Sequence, residues 1–234
     1  MKKLFVLVRQ GNLEEIDKIL TARPELLNCV AGTVPKKDHG QSLLQVALKS
    51  GHFDIADYLI DRGIDVNFME EEDEDPGLRA PVLFDAITAV LDSLCINQFA
   101  SQEEIQRKFG RSEEALKLMK KIISNGAYVN KRSSNGLSAM NWSLSHADQI
   151  MRNTSIYPFS QDRVREQLRN VLDLLIEHGA DLKAWREEGI YPEPCPGPSA
   201  QILYFDAEDP NSGINYNACR EMRSFIQDYF SRKE

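Results

Sequence analysis

Nowhere in the sequence do apolar residues run on for the roughly 18 to 20 positions that a helix needs to cross a bilayer. The opening residues, MKKLFVLVRQGNLEE, turn polar after five apolar positions, too few for the core of a secretory signal. A soluble, cytoplasmic chain that makes no membrane contact is therefore expected. Positive charge is also short: 28 Lys and Arg stand against 36 Asp and Glu, a formal net charge of −8. Nucleic acids and anionic membranes are bound by basic surfaces that displace counterions, so neither is an expected partner. A basic protein suits this charge better.

Chemistry-bearing motifs are missing too. The four cysteines, Cys29, Cys95, Cys195 and Cys219, lie far apart and form no CxxC pair. Neither a zinc site nor a disulfide framework is indicated, and reduced, mostly buried thiols are expected. His39, His52, His146 and His178 are scattered, without HExxH, HxH or a Cys/His cluster. No nucleophile elbow, phosphate-binding loop or dinucleotide fingerprint occurs. Acids are abundant, but spacing alone pairs none of them as general acid and base. No catalytic residue, metal or cofactor is expected, and the chain is not expected to be an enzyme. A small enzyme whose site is assembled from distant residues stays as the last alternative.

Periodicity is what the sequence does have. With 42% hydrophobic residues the chain can bury a core. In GHFDIADYLIDRGIDVN, residues 51–67, Ile55, Ala56, Leu59 and Ile60 fall on one helical face, while Asp54, Asp57, Asp61 and Arg62 fall elsewhere. Gly63 follows where a left-handed cap would end the helix. Aligned on that glycine, Ile55, Leu59, Ile60 and Gly63 match Leu118, Ile122, Ile123 and Gly126, and then Val171, Leu175, Ile176 and Gly179. Ahead of the first copy lies DHGQSLLQVALKSG, residues 38–51, a turn glycine and a short apolar helix. Its later counterparts are SNGLSAMNWSLSH, residues 134–146, and the weaker APVLFDAI, residues 80–87, which keeps Leu83 and Ala86. Each copy reads as turn, helix, turn, helix, outward tail.

This pattern resembles the ankyrin repeat, G-x-T-P-L-H-x-A-A-x-x-G-H-x-x-I-V-x-x-L-L-x-x-G-A-D-V-N over about 33 residues. GQSLLQVALKSGHFDIADYLIDRGIDVN, residues 40–67, follows it closely, with Ser42 for the Thr, Leu43 for the Pro and Gln45 for the His. LFVLVRQGNLEEIDKILTARPELLN, residues 4–28, is similar to an N-terminal ankyrin unit, with Gly11 and Asn12 in the G-H place. The resemblance implies an all-α solenoid of helix-turn-helix repeats with short β-hairpin turns, in a single domain 1–234. Its parts are an N-terminal repeat 1–36, repeat 2 at 37–69, repeat 3 at 70–132, repeat 4 at 133–185 and a degenerate C-terminal capping repeat 186–234.

Repeats 3 and 4 are too long. Gly63 to Gly126 is 63 residues and Gly126 to Gly179 is 53. The excess lies between the two helices of each repeat, in residues 88–115 and 145–167, which are mostly helix-forming. Lengthened helices are expected there, with Ser101 and Glu104 as a capping box and Ser160 as the N-cap of the last long helix. The insertions either pack on each other or form a docking ledge. The hairpin ahead of repeat 3 is also long and carries six consecutive acids, Glu70, Glu71, Glu72, Asp73, Glu74 and Asp75, which should be exposed. They serve either as a solvated loop or as a contact for a basic partner; EF-hand spacing is absent. Four prolines between Pro192 and Pro198 break any helix, so Gly189 reads as the turn of a broken fifth unit. In NYNACREMRSFIQDYFSRK, residues 215–233, the stripe Met222, Phe225, Ile226, Tyr229 and Phe230 reads as a capping helix, with a separate partner-binding helix as the alternative.

Ankyrin proteins hold partners with hairpin tips and exposed positions of the first helix of each repeat. By that resemblance the contact residues are Asp38, His39, Gln41, Lys49 and Ser50 in repeat 2, and Ser134, Asn135, Leu137, Ser145 and His146 in repeat 4. Phe68, Arg79 and Phe84 line the enlarged hairpin, with the acids at 70–75. Trp142 takes the core place held by Val46. The implied function is a non-catalytic, monomeric protein-interaction module, with an unidentified protein as partner. A dedicated inhibitor or immunity-type protein neutralising a basic enzyme or toxin is the alternative.

Overall fold

Glycine and asparagine, rather than the apolar stripes alone, set where each helix ends and how successive repeats are tied. The computed structural model describes residues 2–32, 38–71, 78–97, 99–152, 158–182 and 220–232. The broken fifth turn, Gly189, Cys195, Cys219, Glu72–Asp75 and the Met222 side chain lie outside the described residues. The described elements are helical: α1 Lys2–Gln10, α2 Leu13–Ala22, a 3-10 turn Pro24–Leu26, α3 Leu43–Ser50, α4 Phe53–Asp61, α5 Val82–Asp92, α6 Gln102–Ser124, α7 Ala139–Arg152, α8 Pro158–Glu177 and α9 Arg220–Ser231. In the first hairpin an isolated antiparallel bridge joins Val30 to Ser42. Two compact units result: Met1–Ala89 with Glu114–Tyr128, and Val90–Glu113 with Val129–Glu234.

The predicted cap glycines all adopt left-handed backbone: Gly63 at φ 82°, Gly126 at 92° and Gly179 at 87°. All three close their helices with the same pair of bonds. Gly63 N–H donates to the Ile60 carbonyl at 2.9 Å and Ile64 N–H to that of Leu59 at 3.1 Å. Gly126 and Ala127 do the same to Ile123 and Ile122, and Gly179 and Ala180 to Ile176 and Leu175. Carbonyls orphaned by the end of each helix are thereby satisfied.

The asparagine at the end of each outward tail then reaches forward to the next glycine. Asn67 Nδ2 donates to the Gly126 carbonyl at 2.8 Å, and its Oδ1 accepts from Tyr128 N–H at 2.7 Å. Asn130 repeats this on Gly179 and Asp181, at 2.8 and 2.9 Å, and Asn28 accepts from Asp65 N–H at 2.9 Å. One side chain thus satisfies two backbone groups of the next turn. Asn67→Ala is expected to cost about 1–2 kcal/mol, read as a lower urea midpoint, because both groups lose their protein partner at a half-buried site.

In the first unit, α1 packs on α2 and α3, and α3 packs on α4. Leu4, Phe5, Val8, Ile16, Leu20, Leu44, Ile55 and Leu59 are buried there with Leu83 and Ile87, and Leu118 and Ile122 of α6 join the core. The α3 start is a full capping box: Ser42 Oγ accepts from Gln45 N–H, and the Gln45 side chain accepts from Ser42 N–H. Outer faces are tied as well. Lys121 Nζ lies 2.6 Å from both Asp57 and Asp61, and Arg62 donates to the Leu20 carbonyl at 3.1 Å.

The second unit holds most of both insertions, whose described residues are largely helical, the first broken between Asp92 and Gln102. Arg163 of α8 pairs with Glu113 of α6 and lies over the Phe109 ring at 5.5 Å, while Ser112 Oγ donates to the Val90 carbonyl at 2.9 Å. Leu94, Ile96 and Ile105 are buried. The two insertions therefore pack on each other. Ser101 Oγ accepts from Glu104 N–H at 3.1 Å. Ser160, by contrast, lies inside α8, which starts at Pro158; proline's fixed φ favours the first helical position, so it takes the start that was assigned to the serine. Ile176 is half-buried where Ile60 and Ile123 are buried. The apolar face of α8 is covered instead by Leu168, Val171, Leu172 and Leu175.

Helix α9 buries Phe225, Ile226, Tyr229 and Phe230 and packs on α7. Tyr229 OH donates to Asp173 Oδ1 at 2.7 Å, and the Arg169 guanidinium lies over Phe225 at 5.1 Å.

Candidate partner-binding surfaces

The hairpin of repeat 2 is held by its own backbone. Ala31 N–H donates to the Gln41 carbonyl at 2.8 Å and Gly40 N–H to that of Ala31 at 3.0 Å. Its side chains divide between the two faces. Asp38 is only 5% exposed and is paired with Arg9, so it is part of the interior rather than a contact surface: a carboxylate beside a fixed guanidinium gains more from the pair than from water. His39 and Gln41 are half-buried, and Lys49 and Ser50, at the end of α3, are exposed.

Gln45, the residue in the pattern's His place, is fully buried and organises the neighbouring loop. Its Nε2 donates to Glu70 Oε1 at 2.9 Å and to the Ala80 carbonyl at 3.2 Å, and Glu70 Oε2 accepts from Ala80 N–H at 3.2 Å. This corrects the expectation that the acidic run is exposed from its first residue. The Glu70 side chain is folded in, 13% exposed, because a buried amide and a backbone N–H both need an acceptor. Glu71, the next acid, is exposed.

Behind Glu70 stands a residue that the sequence reading passed over. Asp85 sits in α5 among the buried Val82, Leu83, Phe84, Ala86 and Ile87. Lys49 Nζ lies 3.5 Å from Asp85 Oδ1 and 3.9 Å from Glu70 Oε1, and Asp85 Oδ2 is buried with no hydrogen-bond partner. Burial pushes the Asp85 carboxyl up from 3.8 to about 7; Glu70 adds to the rise, and Lys49 and Gln45 oppose it. The signal was an acid flanked on both sides by apolar residues in APVLFDAI. Phe84 is 1% exposed and belongs to the core, a correction to its place on the hairpin wall. Phe68 and Arg79 are half-buried, and Leu78 beside them is 48% exposed.

The candidates between Ser134 and His146 lie in the second unit. The turn 133–137 is closed on itself: Ser133 N–H donates to the Leu137 carbonyl at 3.0 Å, and Leu137 N–H to Ser133 Oγ at 3.1 Å. Leu137 is 5% exposed, which removes it from the contact residues; the closed turn directs its apolar side chain inward. Ser134 is exposed and Asn135 half-buried. His146 Nε2 lies 2.9 Å from Asp92 Oδ1, and its ring stacks on Trp142 at 5.6 Å. Trp142 is therefore half-buried, not a core residue like Val46: its indole is too large for that place and lies over the histidine instead. Ser145 is half-buried.

Two exposed aromatics escaped the sequence reading. Tyr128, 67% exposed, occupies the tail place held elsewhere by Asp65 and Asp181, and Phe99, 84% exposed, follows α5. The cysteines also differ from expectation, with Cys29 half-buried and Cys95 exposed. Burial raises both thiols above their ordinary range, which disfavours the reactive thiolate. Among the described residues no group of three or more His, Cys, Asp or Glu could hold a metal ion.

Residues 39–68 match the family model of the ankyrin repeat. No curated protein matches the chain. Ankyrin repeats generally mediate protein–protein interaction and are typically non-catalytic. Among the described residues no helix is long and apolar enough to cross a membrane.

Proposed function

We propose that this ankyrin repeat protein is a cytoplasmic, monomeric scaffold or adaptor that binds a basic protein. On this reading the chain consists of four repeats and a C-terminal capping helix. In the first unit the contact surface is formed by His39, Gln41, Lys49, Ser50, Phe68 and Arg79, with the acids that follow Glu70. In the second unit Ser134, Asn135, Ser145 and His146 form a separate surface.

The observation that carries the reading is the division of labour at α3 and the loops beside it. The backbone and buried side chains there are fixed by the capping box, by Gln45 and by the hairpin bonds, while Lys49, Ser50 and Glu71 stay exposed on that fixed frame. Preorganised display of this kind lowers the ordering cost of binding. The charge of −8 and the acidic run favour a basic partner, and they equally suit an inhibitor of one basic enzyme.

A pulldown with the full chain at low and moderate salt separates these roles. The adaptor reading expects several partners. A single stoichiometric basic enzyme, released by salt and inactive when bound, establishes the inhibitor instead. Replacing Glu71–Asp75 with Ser and Gly, while keeping Glu70 for its structural bonds, is expected to weaken binding about tenfold. Unchanged affinity removes the acids as a contact, and no partner at either salt concentration overturns the binding module.

A further inference from the structure

Glu70 is the first of six consecutive acids, and its carboxylate is held by the folded body. Its anchors are the Gln45 side-chain amide and the Ala80 backbone N–H. The Lys49 ammonium stands between Glu70 and Asp85, at 3.9 and 3.5 Å. Two carboxylates thus share one cation, and one of them has an oxygen buried without a partner.

We propose that Lys49, Glu70 and Asp85 form a proton-operated latch that sets how firmly the start of the acidic loop is held against α3 and α5. With Asp85 ionised, the ammonium is drawn toward the deeper carboxylate, and the two negative charges repel across a poorly screened interior. The Glu70 anchor loosens. With Asp85 protonated, the repulsion is gone, Lys49 serves Glu70 alone, and the anchor tightens. Burial already favours the neutral acid at Asp85, which places the change near neutral pH. Because the folded chain holds this proton more tightly than the unfolded chain, the stability it contributes is complete below about 3.8. That stability is lost as the pH rises through about 7.

The groups facing Asp85 are Lys49 and Gln45 from α3 and Glu70 from the loop. Its neighbours on α5, Val82, Leu83, Phe84, Ala86 and Ile87, carry no charge. The hairpin also comes close to Glu70: a Cβ added at Gly40 would lie 3.7 Å from Glu70 Cβ. The latch does not depend on a bound partner.

Nuclear magnetic resonance of the full chain between pH 5.5 and 8.5 tests it. The Ala80 amide and the Gln45 side-chain amide should move together with the Asp85 carboxyl carbon, with one midpoint near 7. Asp85→Asn, of the same shape, should abolish the movement, and Glu70→Gln should lower the Asp85 midpoint by removing a like charge. The latch is overturned by an Asp85 carbon that titrates below pH 5. It is equally overturned by Ala80 and Gln45 signals that do not move, or that keep their midpoint in Asp85→Asn.

Discussion

Phe230→Ala is expected to destabilise the second unit by about 3–5 kcal/mol, the range for removing a fully buried aromatic side chain. Phe230 has no exposed surface and meets Tyr229 edge-to-face at 4.9 Å, while Tyr229 is bonded to Asp173 of α8. The loss should therefore reach beyond α9. Hydrogen exchange at the α7 and α8 amides is the measurement, and both helices should lose protection along with a drop in the urea midpoint. Ser231→Ala, one residue on and exposed, should change the midpoint by less than about 0.5 kcal/mol. If α9 were instead a separate partner-binding helix resting loosely on the unit, Phe230→Ala would leave the α7 and α8 amides as protected as before. That result would end the reading of α9 as a cap.

Sequence made the scaffold legible because its physics is local and repeated. A left-handed glycine one turn after paired apolar residues can close a helix in only a few ways, and Gly63, Gly126 and Gly179 use the same two bonds. The helical insertions were legible for the same reason. What the spacing could not carry was direction. Leu137 and Phe84 sit at places named for contact, yet one closed turn and one helix face bury both. Glu70 heads a run of like charges, a pattern that suggests exposure, but its carboxylate is claimed by Gln45 and Ala80, 25 residues before it and 10 after. Asp85 carried a local mark, an acid between apolar residues, but its pairing with Lys49 did not. Such pairings join residues far apart in the chain, so no local pattern records them.

Gly11→Ala is expected to cost about 2–3 kcal/mol, more than the same change at Gly63, and the comparison separates two causes. Both glycines have left-handed backbone, φ 73° and 82°, where an L side chain costs roughly 1–2 kcal/mol. They differ in surroundings. A Cβ at Gly63 meets nothing within 4 Å, whereas one at Gly11 meets the His52 ring at 2.7 and 2.8 Å. The ring cannot turn aside without loss, because His52 Nε2 donates to the Arg9 carbonyl at 2.9 Å, which fixes the proton on that nitrogen. Breaking this bond adds about 1 kcal/mol. Urea midpoints should therefore fall further for Gly11→Ala than for Gly63→Ala, and the excess should vanish when His52→Ala is made in both backgrounds. An equal cost at the two glycines would mean that backbone conformation alone fixes the residue. An excess confined to Gly11 means that the ring of His52, distant in the chain, selects the glycine there.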